Sequence, residues 1–379
     1  MSLEEILGEE IGRPGVHVPS ARFGLYLALR CLVKPGGRVL MSPVNTGLVA
    51  FAAMAAGLRP VMAPASLADG NIDVETVTLD GVDAVLTTNH LGVPDRVAEL
   101  RERCDQAGIP LIEDCAHALQ TTVGGRRVGT FGDAGVHTLS KHAAGHAGGF
   151  VTGLDPDAVR QARDEILRPG RATRDVANIL YAVAVNARRR PALARVMLAA
   201  MGLLGRSGTP AYDPEPYRAK VRAALEAGGD LDAFRLLLGV AQRDFDRAQG
   251  ALHRRYLRRR LAAVTAQRAE RVAGVARLAA LPQAAPGARA HADQPLIRVP
   301  LLVEERDRVV AELQRHGLVT HYLYLPPLGD LLGPELVDQG EAPEAARRWA
   351  AHVLPVDPLR AGLAVRLLER IAPAPAQNP

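Results

Sequence analysis

The stretch Ile112-Glu113-Asp114-Cys115-Ala116-His117-Ala118, followed by Thr138-Leu139-Ser140-Lys141, decides the fold predicted for this chain of 379 residues. The apolar run from Gly108 to Ile112 predicts a short buried strand that ends at a carboxylate. The run from Gly135 to Leu139 predicts a second strand, which ends beside a lysine. In an α/β sheet the carboxyl ends of the strands face the crevice where ligands bind. The aspartate and the lysine are therefore expected in one crevice.

The surrounding pattern predicts an α/β fold. From about residue 18 to 153, apolar strands alternate with helical segments of about 10 to 15 residues, which is typical of a parallel sheet covered by helices. The predicted helices are Ala21–Leu32, Thr46–Gly57 and Arg96–Ala107, and the predicted strands are Arg38–Met41, Arg59–Met62 and Ala84–Thr88.

The C-terminal part has a different pattern. It predicts a long basic helix from Asp232 to about Ala279, followed by a small α+β domain. The further predicted elements are a strand over Pro295–Leu301, a helix over Glu305–His316, a strand over Leu318–Leu325 and a helix over Glu344–Val353. The tail from Ala372 to Pro379 is expected to be disordered.

We therefore predict a large domain over residues 1–230, and the long helix with the small domain over residues 231–379. The large domain contains a helical insert at about 174–225, with apolar runs at Val176–Val185 and Val196–Leu204. This insert is interpreted as a cover for the cleft or for a subunit interface. The alternative is a surface helix pair that contacts a membrane or a lipid-linked substrate.

Lys141 and Asp114 form the pair that pyridoxal phosphate (PLP) requires, which is an amine for a Schiff base and an acid partner for the pyridinium nitrogen. The chain has two other lysines, Lys34 beside a turn and Lys220 in the insert. In a cleft beside a cation, the pKa of a lysine falls and its amine becomes a nucleophile. The simpler alternatives are a surface lysine at a helix start and an aspartate that caps a helix.

Several motifs together resemble the DegT/DnrJ/EryC1/StrS family, whose members are mostly PLP-dependent sugar aminotransferases of fold-type I. These motifs are Glu113–Ala118, Gly124–Asp133, Lys141 and Gly148-Gly149. The resemblance extends from about Pro19 to Gly153 and returns more thinly from about Asp232 to the C-terminus. It implies a large domain with a mostly parallel, helix-covered sheet, a small α+β C-terminal domain, PLP as cofactor, and a homodimer with its sites at the subunit interface.

The resemblance also implies roles for further residues. His117 is expected to stack on the cofactor ring or to hydrogen-bond near its O3′. The phosphate is expected at the N-terminus of the first predicted helix of the sheet domain, where backbone N–H groups are free. The candidates there are Ser20 and the amides of Ala21 and Arg22, with Thr138 and Ser140 as further hydroxyls. His90 is expected to line the substrate side or to be a packed loop histidine, and His321 and Tyr322 lie in a C-terminal motif on the substrate side.

Three departures from the family pattern affect the predicted substrate side. Gly47 lies in the segment where the family places an aromatic residue that stacks on the pyridine ring. Ala147 precedes Gly148 where the family has an acidic residue. The family's Tyr-Asn-Tyr-Arg stretch, which reaches the partner subunit's phosphate, has no match in the sequence before Leu231. The substrate is therefore expected to differ from an ordinary nucleotide-linked keto sugar.

Composition excludes several classes of function. The net charge of +5 includes a basic run at residues 253–260 that contains Tyr256 as its one aromatic residue, so we expect a solvated helix face and no nucleic-acid binding. The acidic N-terminus from Met1 to Gly15 is not a signal peptide, and no apolar stretch reaches the about 18 residues of a membrane span. We expect a cytoplasmic protein. His137, His142 and His146 lie near Lys141 without accompanying carboxylates, so no metal site is predicted.

Together these features predict a cytoplasmic, homodimeric PLP-dependent aminotransferase. Glutamate or glutamine would supply the amino group, and a keto sugar, a cyclitol or a related natural-product or cell-surface-glycan intermediate would accept it. Two alternatives stay open at this point. One is a PLP enzyme that catalyses dehydration, elimination or decarboxylation, and the other is a degenerate paralogue that binds a ligand or a partner without catalysis.

Overall fold

The computed structural model describes residues 1–143, 147–187, 213–240, 242–320, 324–340 and 343–371. The strands among them are β1 (Gly15–Val18), β2 (Arg38–Met41), β3 (Arg59–Met62), β4 (Ala84–Thr87), β5 (Leu111–Cys115), β6 (Thr122–Val123), β7 (Arg126–Arg127), β8 (Ala134–Thr138), β9 (Gly149–Thr152), β10 (Val299–Leu302) and β11 (Val353–Val356).

Seven strands form the main sheet, in the order β1-β9-β8-β5-β4-β2-β3. The pairs within β8-β5-β4-β2-β3 are parallel, whereas β9 pairs antiparallel with both β8 and β1. Strands β1, β4, β5, β8 and β9 are buried along their whole length, as expected where helices cover both faces of a sheet. The predicted mostly parallel, helix-covered sheet is confirmed. Strands β10 and β11 form a separate antiparallel pair.

Helices surround both sheets. Those that the structure describes are α1 (Leu3–Ile11), α2 (Ala21–Leu32), α3 (Gly47–Ala55), α4 (Val97–Ala107), α5 (Leu139–His142), α6 (Pro156–Ile166), α7 (Ala172–Ala187), α8 (Glu215–Glu226), α9 (Arg235–Leu238), α10 (Ala251–Ala266), α11 (Arg268–Ala279), α12 (Pro286–Ala290), α13 (Arg306–Arg315), α14 (Leu328–Leu332), α15 (Pro343–His352) and α16 (Ala361–Ile371). Short 3₁₀ turns lie at His90–Gly92 and Pro358–Arg360.

The predicted strand that ends at the aspartate is shifted along the chain. The prediction placed it over Gly108–Ile112, whereas β5 spans Leu111–Cys115. Gly108 has a φ of +67° and ends the preceding helix, which removes it from the strand. The helix over Ala21–Leu32 and the strands over Arg38–Met41 and Arg59–Met62 match the structure.

The long helix predicted from Asp232 to Ala279 is wrong. The chain forms the short α9, then a stretch without helix over 242–250, and then α10 and α11 in succession. Tertiary contacts in the non-helical stretch outweigh helix propensity. Phe245 is fully buried, and the backbone carbonyl of Asp246 accepts a hydrogen bond from the N–H of Arg168 at 3.0 Å.

The strand predicted over Leu318–Leu325 is also wrong for the residues that the structure describes there, 318–320 and 324–325. The N–H of Leu318 donates to Leu313 at the end of α13, and Tyr324 has a φ of +60°, which is incompatible with an extended strand. Strand β10 pairs with β11, which the sequence did not predict and which begins at Val353, the last residue of the predicted helix.

Hydrophobic clusters support the sheets, and one that includes Leu40 and Val85 covers one face of the main sheet. Two others are larger. One packs against the main sheet and includes Leu328 and Val337 from the C-terminal part, and the other surrounds β10 and β11. The predicted division at residue 230 stays a prediction. In the insert, the structure describes α7 and α8, and Val196–Leu204 lies outside the described residues. No helix in the described part of the chain is both long and apolar enough to cross a membrane.

Candidate active site

The candidate site lies at the carboxyl ends of β5 and β8. These strands pair in parallel with Asp114 opposite Val136, and the four-residue helix α5 follows β8 at once. Parallel pairing therefore brings Asp114 and Lys141, which are far apart in sequence, to the same edge of the sheet. Asp114 and Lys141, which the sequence places in one crevice, lie close enough for each side chain to shift the pKa of the other.

Lys141 lies in a cleft that water reaches. Its side chain is exposed, yet protein surrounds it closely enough that desolvation lowers the pKa of its ammonium to about 8. The Asp114 carboxylate opposes this shift, and the Arg22 and Arg298 guanidinium groups add to it. Solvent that reaches the amine weakens the effect of each of these charges.

Asp114 is buried, with 3% of its surface exposed. Burial raises the pKa of its carboxyl to about 6, although Lys141 and the N–H of Ala116 act in the opposite direction. That N–H donates to Oδ1 at 2.9 Å, and the described residues donate no hydrogen bond to Oδ2. One carboxylate oxygen thus stays available to a ligand.

His117 links the lysine to a tight turn. Its Nε2 lies 2.8 Å from Lys141 Nζ, and its Nδ1 accepts a hydrogen bond from the backbone N–H of Leu91 at 3.2 Å. Burial, Lys141 and neighbouring groups lower the pKa of the imidazole well below its usual value, so the ring is neutral at physiological pH.

His90 is buried beside His117, with ring centroids 6.3 Å apart. The indole N–H of Trp349 donates to His90 Nε2 at 3.3 Å, and the Tyr324 ring lies 5.3 Å from the His90 ring. Burial lowers the pKa of His90 to about 3. Nδ1 of this neutral ring has no hydrogen-bond partner among the described residues.

Sequence reasoning missed Trp349, Tyr324 and Arg298. Trp349 is the single tryptophan of the chain and lies in a helix that the sequence predicted. Its rarity was a weak indication that this residue has a specific role. Tyr324 lies two residues after the predicted Tyr322, and Arg298 lies in the predicted strand over Pro295–Leu301. The tertiary fold brings these side chains to the site, and no motif or spacing in the sequence predicts that they lie there.

The N-terminus of α2 approaches Lys141 through the predicted glycine pair. The N–H of Gly148 donates to Pro19 at 2.7 Å, and its carbonyl accepts the N–H of Leu139 at 2.9 Å. A Cβ on Gly149 would lie 2.7 Å from the backbone nitrogen of Ala21, so this contact requires glycine. The Gly148-Gly149 motif therefore allows the backbone of β9 to lie close to the N-terminus of α2.

Ser20 caps α2, and its hydroxyl already accepts one hydrogen bond and donates another within the chain. Its hydroxyl accepts the N–H of Phe23 at 3.2 Å and donates to the carbonyl of Phe245 at 2.8 Å. The backbone N–H groups of Ala21 and Arg22 lie in the first turn, where helices leave such groups without helical partners. Their predicted phosphate role and that of Ser20 stay predictions.

The remaining predicted residues are distributed as follows. The hydroxyls of Thr138 and Ser140 lie 2.9 Å apart at the start of α5. His321, Tyr322 and His146 lie outside the described residues. Gly47 begins α3, and a Cβ there would lie 3.0 Å from the Phe51 ring, so Phe51 occupies the adjoining space.

The residues fit a PLP group. An accessible amine, a buried carboxyl of raised pKa and a neutral histidine meet in one cleft, and this is the donor set that the cofactor needs. Nε2 of His142 and Nδ1 of His90 are also buried without hydrogen-bond partners among the described residues. A ligand or a water that binds here would supply the missing partners.

Curated relatives match about two fifths of the chain. The lipopolysaccharide biosynthesis protein RfbH of Salmonella typhimurium is 34% identical over 38% of this chain and 36% of its own length. The dTDP-4-dehydro-2,3,6-trideoxy-D-glucose 4-aminotransferase of Saccharopolyspora spinosa is 30% identical over 39% and 40%. The L-glutamine:2-deoxy-scyllo-inosose aminotransferase of Streptomyces kanamyceticus is 33% identical over 43% and 39%. The chain thus spans about two fifths of these relatives.

Solved structures match almost the whole chain. DesI, solved in the presence of its TDP-sugar product, has a TM-score of 0.62 at 22% identity and covers 97% of this chain and 83% of its own. The Escherichia coli GDP-4-keto-6-deoxy-D-mannose-3-dehydratase with bound hydrated PLP has a TM-score of 0.64 at 16% identity, with 97% and 90% covered. These likenesses confirm the predicted fold, that of fold-type I PLP-dependent transferases.

The family predicted from the motifs is confirmed by the sequence profile that matches this chain. The match covers residues 2–204, which is more than half of the 379 residues and includes Asp114, His117 and Lys141. With these residues placed around one cleft in the expected fold, the chain belongs to the DegT/DnrJ/EryC1/StrS aminotransferase family.

Proposed function

We propose that this protein is a PLP-dependent aminotransferase that moves an amino group from glutamate or glutamine to a ketone on a sugar, a cyclitol or a related natural-product or cell-surface-glycan intermediate. The observation that carries the proposal is the meeting of Lys141, His117 and Asp114 in one cleft, with Nζ and Nε2 2.8 Å apart. Two relatives named as aminotransferases, one for a deoxy sugar and one for an inosose, support the class of acceptor.

The chain's own residues have distinct tasks. When bound, PLP supplies an aldehyde for the amine and an electron sink for a carbanion at the substrate carbon. Asp114 would hold a proton at the pyridine nitrogen, since a carboxylate there stabilises the charged ring. Lys141 Nζ would bind the cofactor and, once released as a free amine, would move a proton at the substrate carbon.

The substrate side is formed by aromatic and cationic groups. The rings of His90, Tyr324 and Trp349 form one wall, and the guanidinium of Arg298 is close enough to lower the pKa of Lys141. Arg298 also pairs with Asp357 at 3.1 Å, which fixes its position. A cation beside the amine is suited to an anionic donor or acceptor. We further propose a homodimer located in the cytoplasm.

The test is an absorption spectrum of the purified protein with added PLP, before and after glutamate or glutamine. Lys141→Ala is the site variant, and Lys220→Ala is its matched control, because Lys220 is exposed on α8. We expect a visible band that Lys141→Ala loses, that Lys220→Ala keeps, and that the donor bleaches.

A Lys141-dependent band that no donor bleaches would favour a dehydration, elimination or decarboxylation. The absence of a family-type aromatic at Gly47 and the fold likeness to a 3-dehydratase make this the second candidate. The absence of any band would favour a ligand-binding paralogue without catalysis.

A further inference from the structure

Two hydrogen bonds on one imidazole determine where its proton lies. The backbone N–H of Leu91 can only donate, so His117 Nδ1, 3.2 Å away, must accept. A neutral imidazole carries one proton, and with Nδ1 as the acceptor this proton lies on Nε2. His117 therefore presents an N–H donor to the group that faces Nε2.

The facing group is the amine of Lys141, with Nζ 2.8 Å from Nε2. An ammonium has three donors and no acceptor, so it would place two donors against each other. A neutral amine has a lone pair that accepts the Nε2–H. We propose that His117 is a positioning residue that holds Lys141 as a neutral amine before any cofactor binds.

The turn that carries Leu91 is fixed from several sides. Asn89 and Leu91 have left-handed φ values of 47° and 57°, which non-glycine residues rarely adopt. The carbonyl of Leu91 accepts the N–H of Arg298 at 3.2 Å, and the N–H of His90 donates to Asn71 Oδ1 at 2.7 Å. Leu91 itself is fully buried. The N–H that sets the tautomer of His117 thus has little freedom to turn away.

The charges around the amine act in both directions. Asp114 favours the ammonium, whereas Arg22 and Arg298 oppose it. His90 and His142 are neutral near pH 7, because burial lowers the pKa of each to about 3. Burial and Asp114 raise the pKa of Tyr324, so this residue is uncharged as well. Among the described residues, one anion and two cations thus act on the Lys141 amine. The hydrogen bond that His117 Nε2–H donates then favours the neutral form.

This inference deepens the proposed function, since a neutral amine is the form that bonds to an aldehyde, but its test needs no cofactor. The chain has three lysines, and Lys34 and Lys220 are exposed. Competitive labelling of the apoprotein with acetic anhydride across a pH series, read by mass spectrometry, gives the pH midpoint of each amine. Lys34 and Lys220 are internal controls in the same sample.

We expect the Lys141 midpoint to lie at least about two pH units below those of Lys34 and Lys220. In His117→Phe, which keeps a ring and loses the donor, the midpoint should rise by one unit or more. In His117→Gln, whose amide N–H replaces the Nε2–H, it should stay near the wild-type value. Thermal unfolding checks that each variant is folded, and the wild-type comparison of the three lysines stands even if a variant is not.

Equal midpoints for all three lysines in the wild type would overturn the inference, and so would an unchanged Lys141 midpoint in folded His117→Phe. The proposed function fails separately. If PLP gives no absorption band while the Lys141 midpoint is low and depends on His117, the tautomer assignment stands and the aminotransferase proposal does not.

Discussion

Glu113 and Asp114 are adjacent buried carboxylates on β5, and they face opposite sides of the sheet. The Glu113 carboxylate accepts the backbone N–H groups of Gly129, Phe131 and Gly132 at 2.6 to 2.7 Å. Asp114 accepts one described backbone N–H, that of Ala116, and otherwise faces the cleft and its lysine.

The difference separates a structural carboxylate from one that is held for a ligand. Burial raises the pKa of both groups, so burial alone does not distinguish them. The two carboxylates are distinguished by the number of hydrogen bonds that they accept from the chain. Glu113 fixes the loop that carries the Gly129–Asp133 motif to the sheet. Asp114 is buried and accepts one hydrogen bond from the described residues, so a ligand that bonds to this carboxylate can offset the cost of its burial.

The largest expected effect comes from Asp114→Asn, which should lower kcat/KM by about 10²- to 10⁴-fold, since an amide cannot stabilise a protonated ring nitrogen. The apoprotein should become more stable. With a folded pKa of about 6, raised from 3.8, Asp114 destabilises the fold once the pH rises through that range. We expect a gain of about 1–3 kcal/mol at pH 8 and none near pH 4.

Urea unfolding of the apoprotein at both pH values and steady-state kinetics of the holoenzyme measure the two effects. A variant that loses activity and is also destabilised at pH 8 would contradict the view that this carboxylate is reserved for a ligand.

Glu113→Gln should have the opposite effects, which are a loss of stability and little change in cofactor binding. The amide nitrogen would meet a backbone N–H, and charge-assisted hydrogen bonds would be lost, so we expect a loss of about 2–4 kcal/mol. Glu99→Gln on the exposed face of α4 is the matched control and should change stability little. Folded Glu113→Gln at low temperature should still bind PLP with the wild-type spectrum. A large loss of affinity in fully folded protein would remove the distinction between the two carboxylates.

Trp349→Phe tests the substrate wall. It keeps an aromatic ring and removes the N–H that pairs with His90 Nε2, so a buried acceptor is left unpaired at a cost of about 1–3 kcal/mol. Urea unfolding measures this loss. Because the indole N–H pairs with His90, whereas the Lys141 amine faces His117, we expect KM for the amino acceptor to change more than the spectrum of bound PLP. A variant with wild-type stability would show that this hydrogen bond contributes nothing.

The sequence predicts one half of this site better than the other. Asp114, His117 and Lys141 were identified because strand ends and a motif mark them. Trp349 and Tyr324 were missed because they reach His90 from the C-terminal part, more than 200 residues away in the chain. In Asp232–Ala279 the local signals for a break were Gly239 and Gly250, which cap α9 and α10, whereas the burial of Phe245 depends on the tertiary fold.

Ser20→Ala should have the smallest effect and extends the comparison to a hydroxyl. Like Glu113, Ser20 is satisfied by the chain, since it accepts from Phe23 and donates to Phe245. Loss of the cap should cost about 0.5–2 kcal/mol. Ser2→Ala, at the cap of α1, is the matched control outside the cleft, with the same type of capping bond to Glu5. Because the Ser20 proton is already donated, we expect the amides of Ala21 and Arg22 to carry the phosphate and the affinity for PLP to change little. An affinity loss of about tenfold in Ser20→Ala, absent from Ser2→Ala, would show that the hydroxyl exchanges Phe245 for the phosphate, and that a group satisfied by the chain can still serve the ligand.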